Sequence, residues 1–343
     1  MGGKALNKYG VHTERKNTET FLSLSKAIQD TLQHYLLQAY RISLDTDIVT
    51  CYRTKADHGD LDLLVKITPE ISNMNINYRD LIQLMFLPRA IHSNGGVYSF
   101  DYMEFQVDFI PIKEEKWESA KVYYSYDPLG NIMGKTYHKF GLSYGWDGLF
   151  YKFRNFNGKN AQNILLTTDA RAIFDFGGYD YDRYLQGFDT LKDIFDFAIN
   201  GKYFDTEMFQ MENLKSIDKK RNRKRGSYHL FLNYLKDNNI NVTHEFKKNK
   251  DDYLSIIDYN FPDAKFWDKL DVLKLKDTQD KILAQKFNGD IVMAWLPDLK
   301  GKELGQAISK FKNALGDNYD DYILNCSFVD MHNYFMKVYY GEE

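Results

Sequence analysis

The chain has 343 residues, more than one ordinary domain needs, so two domains are expected. Its 45 Lys and Arg residues are nearly balanced by 48 Asp and Glu residues, which excludes a globally basic, histone-like protein but not a local basic groove. Apolar residues make up 43% of the chain and aromatic residues 16%, and this composition excludes wholesale disorder.

Cysteine content and hydropathy predict a cellular compartment. Cys51 and Cys326 are too few for a disulfide scaffold or a four-cysteine zinc site, and they favour a reducing environment. No apolar run approaches the roughly 20 residues of a membrane span, and the N-terminus has no apolar signal-peptide core. We therefore expect a cytoplasmic protein without a membrane partner.

Hydrophobic periodicity predicts the elements of the N-terminal half. After a polar segment over 1–17, an amphipathic helix is predicted over 21–40, capped by Thr18 or Thr20. Strands are predicted at 47–53, at 60–67 and within 98–112, and a helix is predicted over 78–87. This order indicates the α+β class, with a mixed sheet that has helices on one face.

From about residue 117 helical patterns predominate. Clear helices are predicted over 189–201 and 302–316, each with a glycine at its end. Residues 201–250 contain 12 Lys and Arg against 6 Asp and Glu, centred on the run KKRNRKR at 219–225. A basic segment in an otherwise acidic chain predicts either a local contact with a polyanion or a solvated helix face.

Two carboxylates lie at the start of the predicted strand 60–67. Asp60 and Asp62 are two residues apart, so on a strand they point to the same side, while Leu61 and Leu63 face a core. Two such charges a few ångströms apart repel by about 4 kcal/mol at an effective dielectric constant of ~20. A divalent cation removes this repulsion, and oxygen ligands favour Mg²⁺ or Mn²⁺. The alternative is a structural or merely solvated pair of acids.

A third carboxylate, Asp108, lies between apolar residues in the sequence FQVDFIPI. An acid inside such a strand requires a partner, and a neighbouring strand would bring it beside Asp60 and Asp62. Three carboxylates on two adjacent strands can hold two metal ions about 3.5–4 Å apart, an arrangement that serves in-line phosphoryl transfer. Alone, Asp108 would be a buried, hydrogen-bonded acid.

The surroundings of these carboxylates resemble the DNA polymerase beta-like nucleotidyltransferase superfamily, especially family X, in a branch that we expect to be phage-encoded. CYRTKADHGDLDLLV (51–65) is similar to its Gly-Ser…Arg…Gly-Asp-x-Asp signature, with Thr50–Cys51 in place of Gly-Ser. QVDFIPI (106–112) is similar to the strand that carries the third catalytic Asp. The segments 123–150 and 167–180 resemble, in order, the stretch that follows.

The resemblance implies a catalytic palm and a role for each matching residue. Asp60, Asp62 and Asp108 would be the catalytic residues and would ligate two Mg²⁺ or Mn²⁺ ions. The nucleoside triphosphate would contact Thr50, Arg53, Lys55 and Gly59, although Arg53 could equally form a surface salt bridge. In a host cell the protein would then be cytoplasmic.

The expected architecture has four segments. An N-terminal arm and helix (1–45) packs on the catalytic palm (46–116), a fingers-like α/β subdomain follows (117–182), and a mostly helical region (183–343) completes the chain. Residues 288–315 are weakly similar to the tail of CCA-adding and poly(A) polymerase enzymes. Nucleic-acid contacts are expected at Asn131, Lys135, Arg221, Arg223, Lys224 and Arg225.

These expectations predict a metal-dependent enzyme that transfers a nucleoside monophosphate from an NTP or dNTP to a nucleic-acid 3′ hydroxyl and releases pyrophosphate. The nucleic acid would be DNA or tRNA. Three alternatives stay open: a CCA-type enzyme acting on tRNA, transfer to a protein or small molecule, and an inactive nucleic-acid-binding protein with the same fold.

Overall fold

The computed structural model describes residues 3–341, and for residues 160 and 161 it describes the backbone alone. The chain forms two compact units, one of Met1–Lys152 with Leu165–Phe266 and one of Phe153–Ile164 with Trp267–Glu343. The helical region predicted over 183–343 is thus divided between the two units at residue 266.

A five-stranded mixed sheet lies in the first unit, in the order β2-β4-β7-β6-β5. Strands β4 and β7 pair in parallel, and the other neighbours pair antiparallel. This confirms the predicted α+β class with a mixed sheet. The strands of the chain are β1 (Lys16–Asn17), β2 (Thr46–Ile48), β3 (Asp57–His58), β4 (Asp60–Ile67), β5 (Ile91–Asn94), β6 (Val97–Tyr102), β7 (Phe105–Lys113), β8 (Leu142–Gly145), β9 (Gly148–Arg154) and β10 (Asn160–Thr167).

One face of this sheet forms the main core. Successive side chains of a strand point to opposite faces, so the odd-numbered residues Leu61, Leu63 and Val65 of β4 lie beside Val107 and Phe109 of β7. Helices cover this face: α1 (Thr18–Tyr40), α2 (Pro69–Asn73) and α3 (Tyr78–Phe86).

The opposite face is covered by a helix at one end. Leu64 of β4 and Ile110 and Ile112 of β7 pack against Trp117 and Ala120 of α4 (Trp117–Tyr124). The sequence predicts helices on one face, whereas α4 lies on the second face. It packs there because even-numbered positions late in both strands are also apolar. The early even-numbered positions of the same face carry the carboxylates.

The rest of the first unit is mostly helical. Strands β8, β9 and β10 follow α5 and form a sheet in the order β10-β9-β8, of which residues 153–164 belong to the second unit. The further helices are α5 (Leu129–His138), α6 (Ala170–Gly177), α7 (Tyr181–Leu185), α8 (Leu191–Ile199), α9 (Ser216–Asn222), α10 (Gly226–Asp237) and α11 (Leu254–Asn260).

The second unit has a helical core of its own. Phe287, Phe311 and Phe335 lie at its centre, together with Val292 and Ile323. Its helices are α12 (Phe266–Lys286), α13 (Gly289–Trp295), α14 (Gly301–Leu315), α15 (Tyr319–Asn325) and α16 (Phe328–Tyr340).

The predicted helices are confirmed, with small changes at their ends. Helix α1 begins at Thr18, and its cap is Asn17 rather than Thr18 or Thr20, since the Asn17 side chain accepts a hydrogen bond of 2.8 Å from the Thr20 N–H. Helices α8 and α14 correspond to the predictions at 189–201 and 302–316.

The strand predicted at 47–53 is shorter, because β2 ends at Ile48. The Val49 N–H still donates to the Asp62 carbonyl of β4, but from Thr50 the backbone pairs with loops: the Thr50 carbonyl accepts from the Tyr126 N–H, and the Arg53 N–H donates to the Phe188 carbonyl.

Across the described residues, every helix is too short or too polar to cross a bilayer.

Candidate functional site

Asp60, Asp62 and Asp108 share one face of the central sheet. The parallel register of β4 and β7 makes Asp62 the direct partner of Asp108, and Asp60 the partner of Gln106. All four side chains are even-numbered, so they lie on the face opposite the main core. The proximity predicted from the sequence is therefore present in the fold.

Burial perturbs all three carboxylates. It raises the pKa of Asp60, and it raises the pKa of Asp62 well above its usual range, with the charges of Asp60 and Asp108 adding to the effect. Burial also raises the pKa of Asp108 to about 6, although hydrogen bonds from Ser99 and Gln106 favour the charged form. Such perturbed groups cluster at functional sites, where a bound charge relieves the strain.

The donor set suits a hard divalent cation. Three carboxylates supply oxygen ligands only, which fits Mg²⁺ or Mn²⁺. Within residues 3–341, no group of three or more His, Cys, Asp or Glu side chains is close enough to hold a metal ion as it stands. An ion would therefore bind only after these side chains change their orientation.

Two neighbouring polar side chains hold Asp108. The Gln106 amide donates to Asp108 Oδ1 over 3.0 Å, and Ser99 is its direct partner on β6. Gln106 is itself only 2% exposed and accepts a hydrogen bond of 2.9 Å from the Ala5 N–H. Sequence reasoning missed Gln106, although its spacing of two from Asp108 places it on the same face.

Gly59 and Thr50 are not open phosphate cradles. Gly59 is buried, and a Cβ added to Gly3 would collide with the Gly59 carbonyl, so the N-terminal segment lies directly against it. Thr50 is exposed, and its carbonyl accepts from the Tyr126 N–H over 2.8 Å. Their predicted contacts with a triphosphate stay predictions.

Arg53 has partners within the chain. Its guanidinium forms an ion pair with Asp189, with 2.7 Å between Nη1 and Oδ1, and also donates to the Gln186 carbonyl. It ties the loop after β2 to the segment before α8, and a phosphate contact would require it to leave this pair.

Lys55 lies closer to the carboxylates. Its charge acts on both Asp60 and Asp62, and its ammonium lies 3.2 Å from Cys51 Sγ. Arg15, which the sequence analysis did not single out because residues 1–17 show no periodicity, also acts on Asp60 and forms an ion pair with Asp57.

A cleft of about 450 Å³ adjoins this group. Arg15 and Lys55 line it, as does Asp127, whose charge acts on Asp62. Gly226 and Ser227 also line it, at the first turn of α10, where the helix dipole favours an anion. The lining also includes Asp57, which is ion-paired with Arg15, and the aromatic side chains of Tyr52 and Tyr126.

Asn131 and Lys135 lie on α5, away from this lining. The Asn131 amide nitrogen is buried without a hydrogen-bond partner among the described residues. Lys135 lines a separate cavity of about 340 Å³, where its ammonium lies 5.4 Å from the Tyr228 ring centroid. Burial lowers the pKa of Lys135 to about 8.

The basic run ends at the cleft. Arg221, Arg223 and Lys224 are exposed, whereas Arg225 is half-buried and immediately precedes Gly226. Burial lowers the pKa of Arg225, while the Asp127 charge opposes this effect. Tyr228, which follows the basic run, is wholly buried and donates to the Phe209 carbonyl. It is therefore a core residue.

No protein-family model matches this chain, and no curated protein matches it either.

Proposed function

We propose that the chain is a metal-dependent nucleotidyltransferase that moves a nucleoside monophosphate from an NTP or dNTP to a hydroxyl and releases pyrophosphate. The observation that carries this proposal is the register of β4 and β7, which makes Asp62 and Asp108 direct partners with Asp60 two residues away. Few other roles explain three acids with raised pKa values on one sheet face.

Asp60, Asp62 and Asp108 would hold Mg²⁺ or Mn²⁺, as two ions. When bound, the ions supply charge neutralisation at the reacting phosphate and lower the pKa of the attacking hydroxyl. Asp108 is the carboxylate that we expect to help the acceptor hydroxyl lose its proton, with a bound ion sharing that work.

The 450 Å³ cleft is the candidate site for the triphosphate. Arg15 and Lys55 supply positive charge on one side of it, and the N-terminus of α10 supplies further backbone N–H groups. Tyr52 and Tyr126 offer aromatic surface to a base or sugar. The lining thus fits a ligand with an anionic and an aromatic end.

A nucleic-acid 3′ end is the acceptor that the charge distribution favours. The exposed side chains of Arg221, Arg223 and Lys224 lead along the chain to the cleft at Gly226. The ion pairs among the described residues do not include these three, so they are available to phosphates.

The test is nucleotide incorporation by the purified chain with Mg²⁺ or Mn²⁺ and labelled triphosphates. Primer–template DNA, single-stranded DNA and tRNA are offered separately as acceptors. We expect Asp62→Asn and Asp60→Ala to abolish incorporation while far-UV circular dichroism stays unchanged, and Asp237→Asn, on the surface at the end of α10, to retain it. Full activity in Asp62→Asn would contradict the site assignment.

The acceptor separates the remaining candidates. Template-directed extension of DNA indicates a polymerase, and addition to tRNA alone indicates a CCA-type enzyme. Triphosphate binding without transfer to either nucleic acid indicates a protein or small-molecule acceptor. Nucleic-acid binding that needs no metal, with no triphosphate binding, indicates an inactive binding protein.

A further inference from the structure

The N-terminal arm, residues 3–17, lies against the carboxylate site. Its Thr13 hydroxyl donates to the Gly3 carbonyl over 2.8 Å, which folds the arm back on itself. Leu6 is 1% exposed, and Val11 is also buried. The far end of the arm is held by the pairing of β1 with β3 and by the Arg15–Asp57 ion pair.

Two contacts run from the arm to the carboxylates. Asp60 accepts a backbone hydrogen bond from Gly3. The Ala5 N–H donates to the Gln106 side chain over 2.9 Å, and the Gln106 amide in turn donates to Asp108 Oδ1 over 3.0 Å. Gln106 is also the register partner of Asp60, so it lies between the two acids.

The hydrogen bonds of Gln106 determine the orientation of its side-chain amide. It is buried, its oxygen faces the arm and its nitrogen faces Asp108. A side-chain amide has a distinct acceptor and donor end, so the contact with the arm determines which end Asp108 receives. Moving the arm would therefore leave Asp108 without this donor.

We propose that the N-terminal arm helps to orient the carboxylates of this site. Gln106 is the positioning residue, because its contact with the arm determines which end of its side-chain amide faces Asp108. This inference rests on the proposed function, because it concerns how the same acids are oriented toward a divalent cation. Groups that hydrogen-bond metal ligands typically change metal affinity by about 10- to 100-fold when they are removed.

The test measures binding of Mn²⁺ alone to the full chain, followed by the loss of the free-ion electron paramagnetic resonance signal. Gln106→Met keeps the length of the side chain and removes both hydrogen bonds. Gly3→Ala places a methyl group against the Gly59 carbonyl at a residue with φ of +83°, which displaces the start of the arm. Gly96→Ala is the matched control, since Gly96 lies outside the arm, between β5 and β6, and has a φ of +87° but nothing within 4 Å of an added Cβ.

We expect Gln106→Met and Gly3→Ala each to weaken Mn²⁺ binding by about 10-fold or more, and Gly96→Ala to bind like the wild type. Thermal unfolding of each variant checks that it is folded, and Gly3→Ala carries the test if Gln106→Met does not fold. Unchanged or tighter Mn²⁺ binding in the folded variants would overturn the inference.

Asp62→Asn separates this inference from the proposed function. If Asp62→Asn loses Mn²⁺ while Gln106→Met and Gly3→Ala keep it, the arm has no positioning role and the proposed function stands. If the wild-type chain neither binds Mn²⁺ nor incorporates nucleotide, the proposed function fails and the inference fails with it.

Discussion

Asp108 is a charged residue in an apolar strand, between the buried side chains of Val107 and Phe109. Its neighbour across the sheet, Asp62, is also an acid. Without a cation, burial and the neighbouring charges therefore disfavour the charged forms of these acids, as their raised pKa values indicate. The same property that suits these residues to a cation makes the metal-free protein less stable.

We expect Asp108→Asn to stabilise the metal-free protein at pH 8 and not at pH 4. The pKa of Asp108 is about 6 in the fold against 3.8 in the unfolded chain. The unfolded state therefore releases its proton first, and stability falls as the pH rises from about 4 through 6. A pKa difference of roughly 2 units corresponds to about 3 kcal/mol in the free energy of unfolding. Because the amide of the variant stays neutral, its stability does not fall in this way as the pH rises.

Urea unfolding in the presence of a chelator, at pH 4 and pH 8, measures this difference. Asp237→Asn serves as the control, because that residue is exposed. Equal effects of Asp108→Asn on stability at the two pH values would show that the fold does not disfavour the charged form of Asp108.

Single residues also show where sequence reasoning was incomplete. The period of two on β4 and β7 was sufficient to place Asp60, Asp62 and Asp108 on one face. The partner of Arg53 was not predictable, because Asp189 is far along the chain and meets it only through the fold. The burial of Gly59 depends in the same way on the approach of Gly3.

Among the elements, α1 connects the arm to the sheet. Its start is determined by Asn17, which also belongs to β1 and pairs with Asp57 of β3. A capping side chain satisfies a free backbone N–H at the first turn. Threonine is also a common cap, so the sequence predicts Thr18 or Thr20 at this position. In the fold, Asn17 has the extended backbone conformation of a cap residue, and its side chain forms the hydrogen bond.

We expect Asn17→Ala to lower the free energy of unfolding by about 1 kcal/mol, and Asn17→Ser to retain most of it. Thr20→Ala is the control, since Thr20 contributes only its backbone N–H to the cap. Chemical denaturation measures all three. A larger loss of stability in Thr20→Ala than in Asn17→Ala would show that Asn17 is not the cap of α1.

At the scale of the whole molecule, the chain has separate apolar cores. The first unit contains the core around Ile82 and Phe109, and the second contains the core around Phe311 and Phe335. Each core is closed by its own helices. We therefore expect each unit to have an unfolding transition of its own.

We expect Phe311→Ala to destabilise the second unit by about 3–5 kcal/mol, because a fully buried aromatic side chain leaves a cavity. Differential scanning calorimetry should show one transition lowered and the other unchanged. Ile82→Ala is the matched change in the first unit and should lower the other transition. A single transition that shifts equally in both variants would show that the units unfold together.

Periodicity in the sequence predicts the α+β class, the main helices, the strand 60–67 and the common side of Asp60 and Asp62. These features are local, because a single stretch of chain contains each of them. The position of Asp108 beside the other two acids depends on the parallel pairing of β7 with β4. Four features are visible only in the tertiary structure. They are the helix on the second face of the sheet, the ion pair of Arg53, the cleft between the loop after β2 and α10, and the contact of the arm with Gln106. Each of these joins residues far apart in the chain, and their contacts follow from how the elements pack rather than from any local pattern.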